Sequence, residues 1–176
     1  MRRTRPKHLL PTAVLVAMVL ASASSLAPGL WAQHPGQPSL ERAIRAVASG
    51  DLDDARAFAD RAAALGLDSA DLDAVYLLTE TLPRVLLQRA AQLDTMGLRA
   101  IDPLDILRAQ SGALERLMDW EGLLQLGADM PGTVSADPVV LARVLRAYAA
   151  TGPAAYLDAE SRLLPSQADH PRVRAV

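Results

Sequence analysis

Ala48-Ser49-Gly50-Asp51-Leu52-Asp53-Asp54-Ala55 decides how this chain is read. A glycine here follows ten residues of helical apolar spacing, and an acid then opens a second run of the same kind. Glycine is the residue that most easily takes the left-handed turn ending a helix, and Asp is a preferred N-cap. The stretch therefore predicts two helices joined by a tight turn. Outward from it, apolar residues keep recurring at helical intervals from Leu40 onward.

Punctuation of the same kind divides the rest of the chain. Asp102-Pro103 and Asp137-Pro138 each set an N-cap acceptor before a proline at the first helical position. Thr81-Leu82-Pro83 is a weaker version, and Thr151-Gly152-Pro153 stops one helix and starts another. These signals predict eight short helices near 39–49, 52–65, 70–80, 84–95, 103–117, 119–129, 138–150 and 153–164. Short connections make consecutive helices antiparallel neighbours. Composition agrees: hydrophobic residues are 51% and aromatic residues 3% of the 176, with Ala, Leu and Val dominating. Sheets draw on aromatic and β-branched residues, whereas Ala and Leu are strong helix formers. The expected fold is all-α, four stacked antiparallel helical hairpins over residues 39–164, ending in a polar tail over 165–176.

The hairpins recur. Asp51-Leu52-Asp53 and Asp119-Trp120-Glu121 share an acid, bulky apolar, acid pattern 68 residues apart; Gly50 and Gly152 lie 102 apart, and Pro131 and Pro165 lie 34 apart. A fixed period in this range marks stacked repeats. The 48–55 stretch resembles the inter-helix turn of a tetratricopeptide repeat, a family with Gly-Asp-aromatic, two polar residues and Ala at that turn. Gly50 matches the turn glycine, Leu52 takes the bulky place and Ala55 matches the small residue of the second helix. In the same register Ala59 and Ala62 fall where that helix packs on its partner, and Tyr148 takes an aromatic place in a first helix. Ser39, Leu67 and the turn of the second unit depart from the family pattern. The resemblance implies an α-solenoid, a right-handed superhelix whose concave face holds peptides or protein segments. It also implies that first helices line that face, which would bring Asp105, Arg108, Glu115, Arg116 and Arg146 toward a groove. Arginine grips carboxylates through two parallel hydrogen bonds, so such a groove suits a protein or peptide partner with an acidic segment.

The first residues address the chain. Arg2, Arg3, Arg5 and Lys7 precede an apolar run from Leu9 to Leu20, and Ala21-Ser22-Ala23 is a small-x-small cleavage site. This order is the secretory signal pattern, with cleavage expected after Ala23 or, at Ser25-Leu26-Ala27, after Ala27. The alternative is an uncleaved anchor over 9–27, since about 20 residues cross a bilayer; either way the body lies outside the cytoplasm, periplasmic or extracellular. Arg2-Arg3 starts a twin-arginine pattern that Thr4-Arg5-Pro6 continues poorly. Residues 24–38, with Pro28, Gly29, Pro35, Gly36 and Pro38, read as a linker. Beyond the leader, 14 basic residues face 20 acidic ones, a net of −6. An acidic body without a basic stripe is ill suited to nucleic acid.

Chemistry is sparse. There is no cysteine, and the three histidines are His8 in the leader, His34 in the linker and His170 in the tail. Neither a histidine-based triad nor a zinc site can be assembled from these, and there is no Gly-rich phosphate loop. Asp51, Asp53, Asp54, Asp68, Asp71 and Asp73 gather at two helix starts, where the helix macrodipole favours acids; they lack the spacing and closing Glu of an EF-hand. Glu80 and Glu115 are the candidates for a general acid of a glycan-cleaving site, and solvated helix faces account for both. Trp120 is expected in packing within the third hairpin. No catalytic residue, metal or cofactor is expected. The chain reads as an exported non-enzymatic adaptor or assembly scaffold, possible alternatives being the helical part of a cell-wall (peptidoglycan) processing enzyme or a structural subunit of an envelope complex.

Overall fold

The computed structural model describes residues 34–176. The leader, both cleavage positions, the twin-arginine pair and the anchor alternative lie outside the described residues. Among the described residues there is no β-strand. The helices are α1 (Gln37–Ser49), α2 (Leu52–Ala64), α3 (Ala70–Leu78), α4 (Pro83–Gln92), α5 (Pro103–Arg116), α6 (Trp120–Asp129), α7 (Pro131–Ala136), α8 (Pro138–Thr151), α9 (Pro153–Glu160), α10 (Pro165–Ala168) and α11 (Pro171–Arg174), with a 3₁₀ turn at Thr95–Gly97. Eight of these coincide with the predicted ones to within four residues at either end. None is long and apolar enough to cross a membrane.

Local chemistry explains where the helices begin and end. Asp102 accepts from the Leu104 N–H at 2.9 Å, and Asp137 accepts from the N–H groups of Val139 and Val140, each at 2.9 Å. Both satisfy donors that a helix N-terminus leaves without intrahelical partners. At the weaker Thr81-Leu82-Pro83 start the acceptor is Glu80, whose Oε1 receives the N–H groups of Thr81 and Leu82 at 3.1 Å. The turn at Gly50 is built as expected. Gly50 has φ +80°, its N–H donates to Val47, the Asp51 N–H donates to Ala46, and Asp51 caps α2 through the Asp54 N–H at 3.2 Å.

The same turn recurs between α5 and α6 with a different residue in the glycine's place. Met118 has φ +54°, its N–H donates to Glu115, the Asp119 N–H donates to Leu114, and Asp119 caps α6 through the Gly122 N–H at 2.9 Å. A side chain in the left-handed region is strained, so the turn there is held by its hydrogen bonds and not by residue preference.

Packing follows a simple order. α1 touches α3, α3 touches α5, α5 touches α8 and α8 touches α11, while α2, α4 and α6 pack on α3, α5 and α8 in turn. The helices of that row start at 37, 70, 103, 138 and 171. The one long interval, 103 to 138, contains α7, a helix that sequence reasoning missed. Pro131 can start a helix, and Asp137-Pro138 ends it after a turn and a half. Residues 165–176, read as a polar tail, hold α10 and α11, and Val173 is buried against α8.

Small side chains fill the first half of the core. Ala55, Ala59 and Ala62 are fully buried against α1, beside Ala43, Ala46 and Leu40. A second cluster joins Leu107 to Val134, Val140, Leu141, Val144, Leu145 and Val173. A third joins Leu114, Leu123 and Ala147, with Trp120 half-buried against it. Helix α5 supplies all three, through Ile106 and Ala113, Leu107, and Leu114 respectively.

Candidate functional site

Most of the residues singled out for a groove converge on the seam between α5 and α8. Arg108 lies one turn from Asp105 and donates Nη1 to it at 2.9 Å. Its Nε and Nη2 reach across to Asp137 Oδ2 at 2.9 and 2.7 Å. Asp137 is 1% exposed and is also the α8 cap. Burial disfavours its charge, and the bonds from the Val140 N–H, Arg108 and the Val139 N–H outweigh burial, so the carboxyl stays below the usual carboxylate range. The hydrogen bond from Arg108 to Asp137 in turn raises the guanidinium's pKa further.

Two turns along α5, Glu115 is shared by two arginines of α8. Its Oε2 accepts from Arg143 Nε at 3.1 Å, and its Oε1 accepts from Arg146 Nη1. Arg143 is fixed further by Nη1, which donates to the Arg108 carbonyl at 2.7 Å and the fully buried Ser111 hydroxyl at 2.9 Å. Gly112 makes room for this arm, since a Cβ there would stand 3.2 Å from Arg143 Nη2. Arg116 does not join the cluster. One residue beyond Glu115, it is turned to the other side of α5 and donates to the Thr81 carbonyl at 3.3 Å.

The seam therefore contains Asp105, Arg108, Glu115 and Arg146 as read from the sequence, each engaged by a neighbouring charge. Sequence reasoning passed over Arg143 and Asp137 as its partners. Their separations from Glu115 and Arg108, 28 and 29 residues, are close to the spacing between successive helices of the row, and that was the available signal.

A concavity of about 220 Å³ opens beside this network, lined by Glu115, Val139, Ala142, Arg143, Arg146 and Arg172. Arg172, on α11, brings a third guanidinium to a place that holds one carboxylate. A separate cavity of about 210 Å³ between α6, α8 and α9 is lined by Leu141, Val144, Leu145, Tyr148 and Leu163 among others.

The remaining candidates have structural partners. Glu80 accepts the N–H groups of Thr81 and Leu82 just before α4 and lies 3.8 Å from Arg89. Asp71 is buried at the start of α3, where its carboxylate accepts the N–H groups of Arg99, Ala100 and Ile101 at 3.1–3.2 Å. It thus ties the loop before α5 to α3, a role beyond the macrodipole. His170 caps α11, its Nδ1 accepting from the Arg172 N–H at 3.3 Å. Among the described residues, no group of three or more His, Cys, Asp or Glu is placed to hold a metal ion.

No family model, curated protein or solved structure matches the chain.

Proposed function

We propose that the chain is an exported, non-catalytic helical-repeat protein of the tetratricopeptide type, acting as a protein-interaction adaptor or assembly scaffold. The observation that carries this reading is the row α1, α3, α5, α8, α11, in which each member touches the next and the second helices α2, α4 and α6 each pack on the following member. The matched turns at Gly50 and Met118, 68 residues apart, add to it. A row of this kind supplies a rigid continuous surface, and side chains along it supply selectivity. Export rests on the basic leader and its cleavage signals.

The partner is a protein segment, and an acidic one suits the end of the row. There the arginines of α8 and α11 outnumber Glu115, within a body whose net charge is −6. A photo-crosslinking residue at Val139, on the row, should capture a partner in native cells, and one at Leu157, on α9, should not. Capture from Leu157 alone, or from neither position, would overturn the adaptor reading.

A further inference from the structure

We propose that the concavity between α5, α8 and α11 is a binding site for the carboxylate of an acidic side chain on a partner protein, and that Glu115 is its built-in competitor. This rests on the adaptor reading and names the chemistry of its contact. The site is lined by three guanidinium groups and one carboxylate.

The three arginines differ in how far they are already committed. Arg143 is held by Glu115, the Arg108 carbonyl and Ser111, so it is a fixed part of the wall. Arg146 gives Nη1 to Glu115, and among the described residues its Nε and Nη2 have no acceptor. Its side chain is 44% exposed. Arg172 is exposed on α11, and among the described residues its guanidinium makes no hydrogen bond or ion pair. Arg146 and Arg172 thus line one space in which Glu115 is the sole carboxylate, and both keep donors that it does not take up.

Two features select a carboxylate. Glu115 already places one oxygen on each of two of these guanidinium groups, which shows that their spacing accepts a carboxylate fork. Val139, beside the buried Ala142, adds a small apolar contact for the methylene stem of a Glu or Asp side chain.

Glu115 takes up one of the nitrogens an incoming carboxylate would use. Removing its charge while keeping its shape frees Arg146 without emptying the seam. A purely structural ion pair would respond in the opposite way, since its loss would loosen the site and weaken any binding.

The test is titration of the whole body, residues 24–176, with the peptide acetyl-(Gly-Glu)₄-amide, which has no free C-terminus, followed by calorimetry at low salt. Saturable binding is expected, weakened at least tenfold by Arg172→Glu and strengthened about threefold or more by Glu115→Gln. Added salt should weaken it because exposed charges are screened. Arg172 has no partner to lose, so its variant should keep the parent melting temperature and carry the test even where Arg146→Glu does not. Three results would each overturn the site: Arg45→Glu, on α1, weakening binding as much as Arg172→Glu; unchanged affinity in Glu115→Gln; or inorganic phosphate binding more tightly than the peptide. Should the Val139 crosslinker capture the same partner in wild type and in Arg172→Glu, the site falls and the adaptor reading stands. Should it capture none in wild type, the adaptor reading falls first.

Discussion

Asp137 is the residue on which the α5–α8 seam depends, and its replacement separates the contributions it makes. Asp137→Asn keeps an oxygen for the Val139 and Val140 N–H groups and removes the charge facing Arg108. Hydrogen bonds to charged groups contribute about 1.5–3 kcal/mol. Arg108 is 44% exposed and retains Asp105, so solvent screening reduces this to about 1 kcal/mol. Asp137→Ala also removes the helix cap, at about 1 kcal/mol. It leaves the buried Val140 N–H without an acceptor as well, which costs about 1–3 kcal/mol. The expected order is wild type, then Asn about 1 kcal/mol lower, then Ala about 2–4 kcal/mol lower. Asp105→Ala, at an exposed pair, should stay within about 1 kcal/mol. Urea denaturation followed by circular dichroism at 222 nm measures all three. The pH dependence has a definite sign. A carboxyl whose folded pKa is depressed contributes stability above its unfolded pKa, about 3.9, and loses it as pH falls through the folded value. The gap between wild type and Asp137→Asn should therefore be constant from pH 5 to 8 and narrow below about pH 4. An Asp137→Ala variant no less stable than Asp105→Ala would refute the reasoning, as would a gap that widens in acid.

Other substitutions test other parts of the fold. Ala55→Leu or Ala59→Leu should overpack the α1–α2 interface and cost about 1–3 kcal/mol, read as a fall in melting temperature. Gly50→Ala should cost about 1 kcal/mol from backbone strain alone, because φ is +80° and a Cβ there meets nothing within 4 Å. Asp71→Ala should cost about 2–4 kcal/mol by leaving backbone donors of the 99–101 loop without their acceptor, and faster hydrogen exchange should be confined first to that loop. Mass spectrometry of protein from native cells should find a mature start at Ser24 or Pro28; an intact basic terminus in membranes would favour the anchor.

The helices were legible because their signals are local. Asp-Pro starts, the Gly50 turn and the buried Ala55, Ala59 and Ala62 each follow from residues a few positions apart. What could not be read depends on partners in space. Arg143 reaches from α8 to Glu115 and the Arg108 carbonyl on α5, and nothing near Arg143 in sequence marks it as different from an exposed arginine. Arg172 lay in a stretch rich in polar residues, where a single buried valine, Val173, brings α11 onto α8. Arg116 was assigned to the groove beside Glu115, yet neighbours on a helix point about 100° apart, and the structure sends it to Thr81. Met118 shows a further limit. Its turn has the geometry of Gly50, but the hydrogen-bond pattern imposes a conformation that its residue type disfavours.

Helix α5 feeds all three core clusters, and every principal contact between α1–α4 and α6–α11 passes through it. In a chain whose units meet only their neighbours, cooperativity is carried by the interfaces between them. Here that load falls on one helix. As long as α5 is sound, the two halves should melt together. A lesion at Ile106 or Leu107 would uncouple them, so that heat or mechanical pull opens one half while the other stays folded. The same helix holds Glu115 and Arg108, so any partner seated at the seam would be felt in both halves of the molecule.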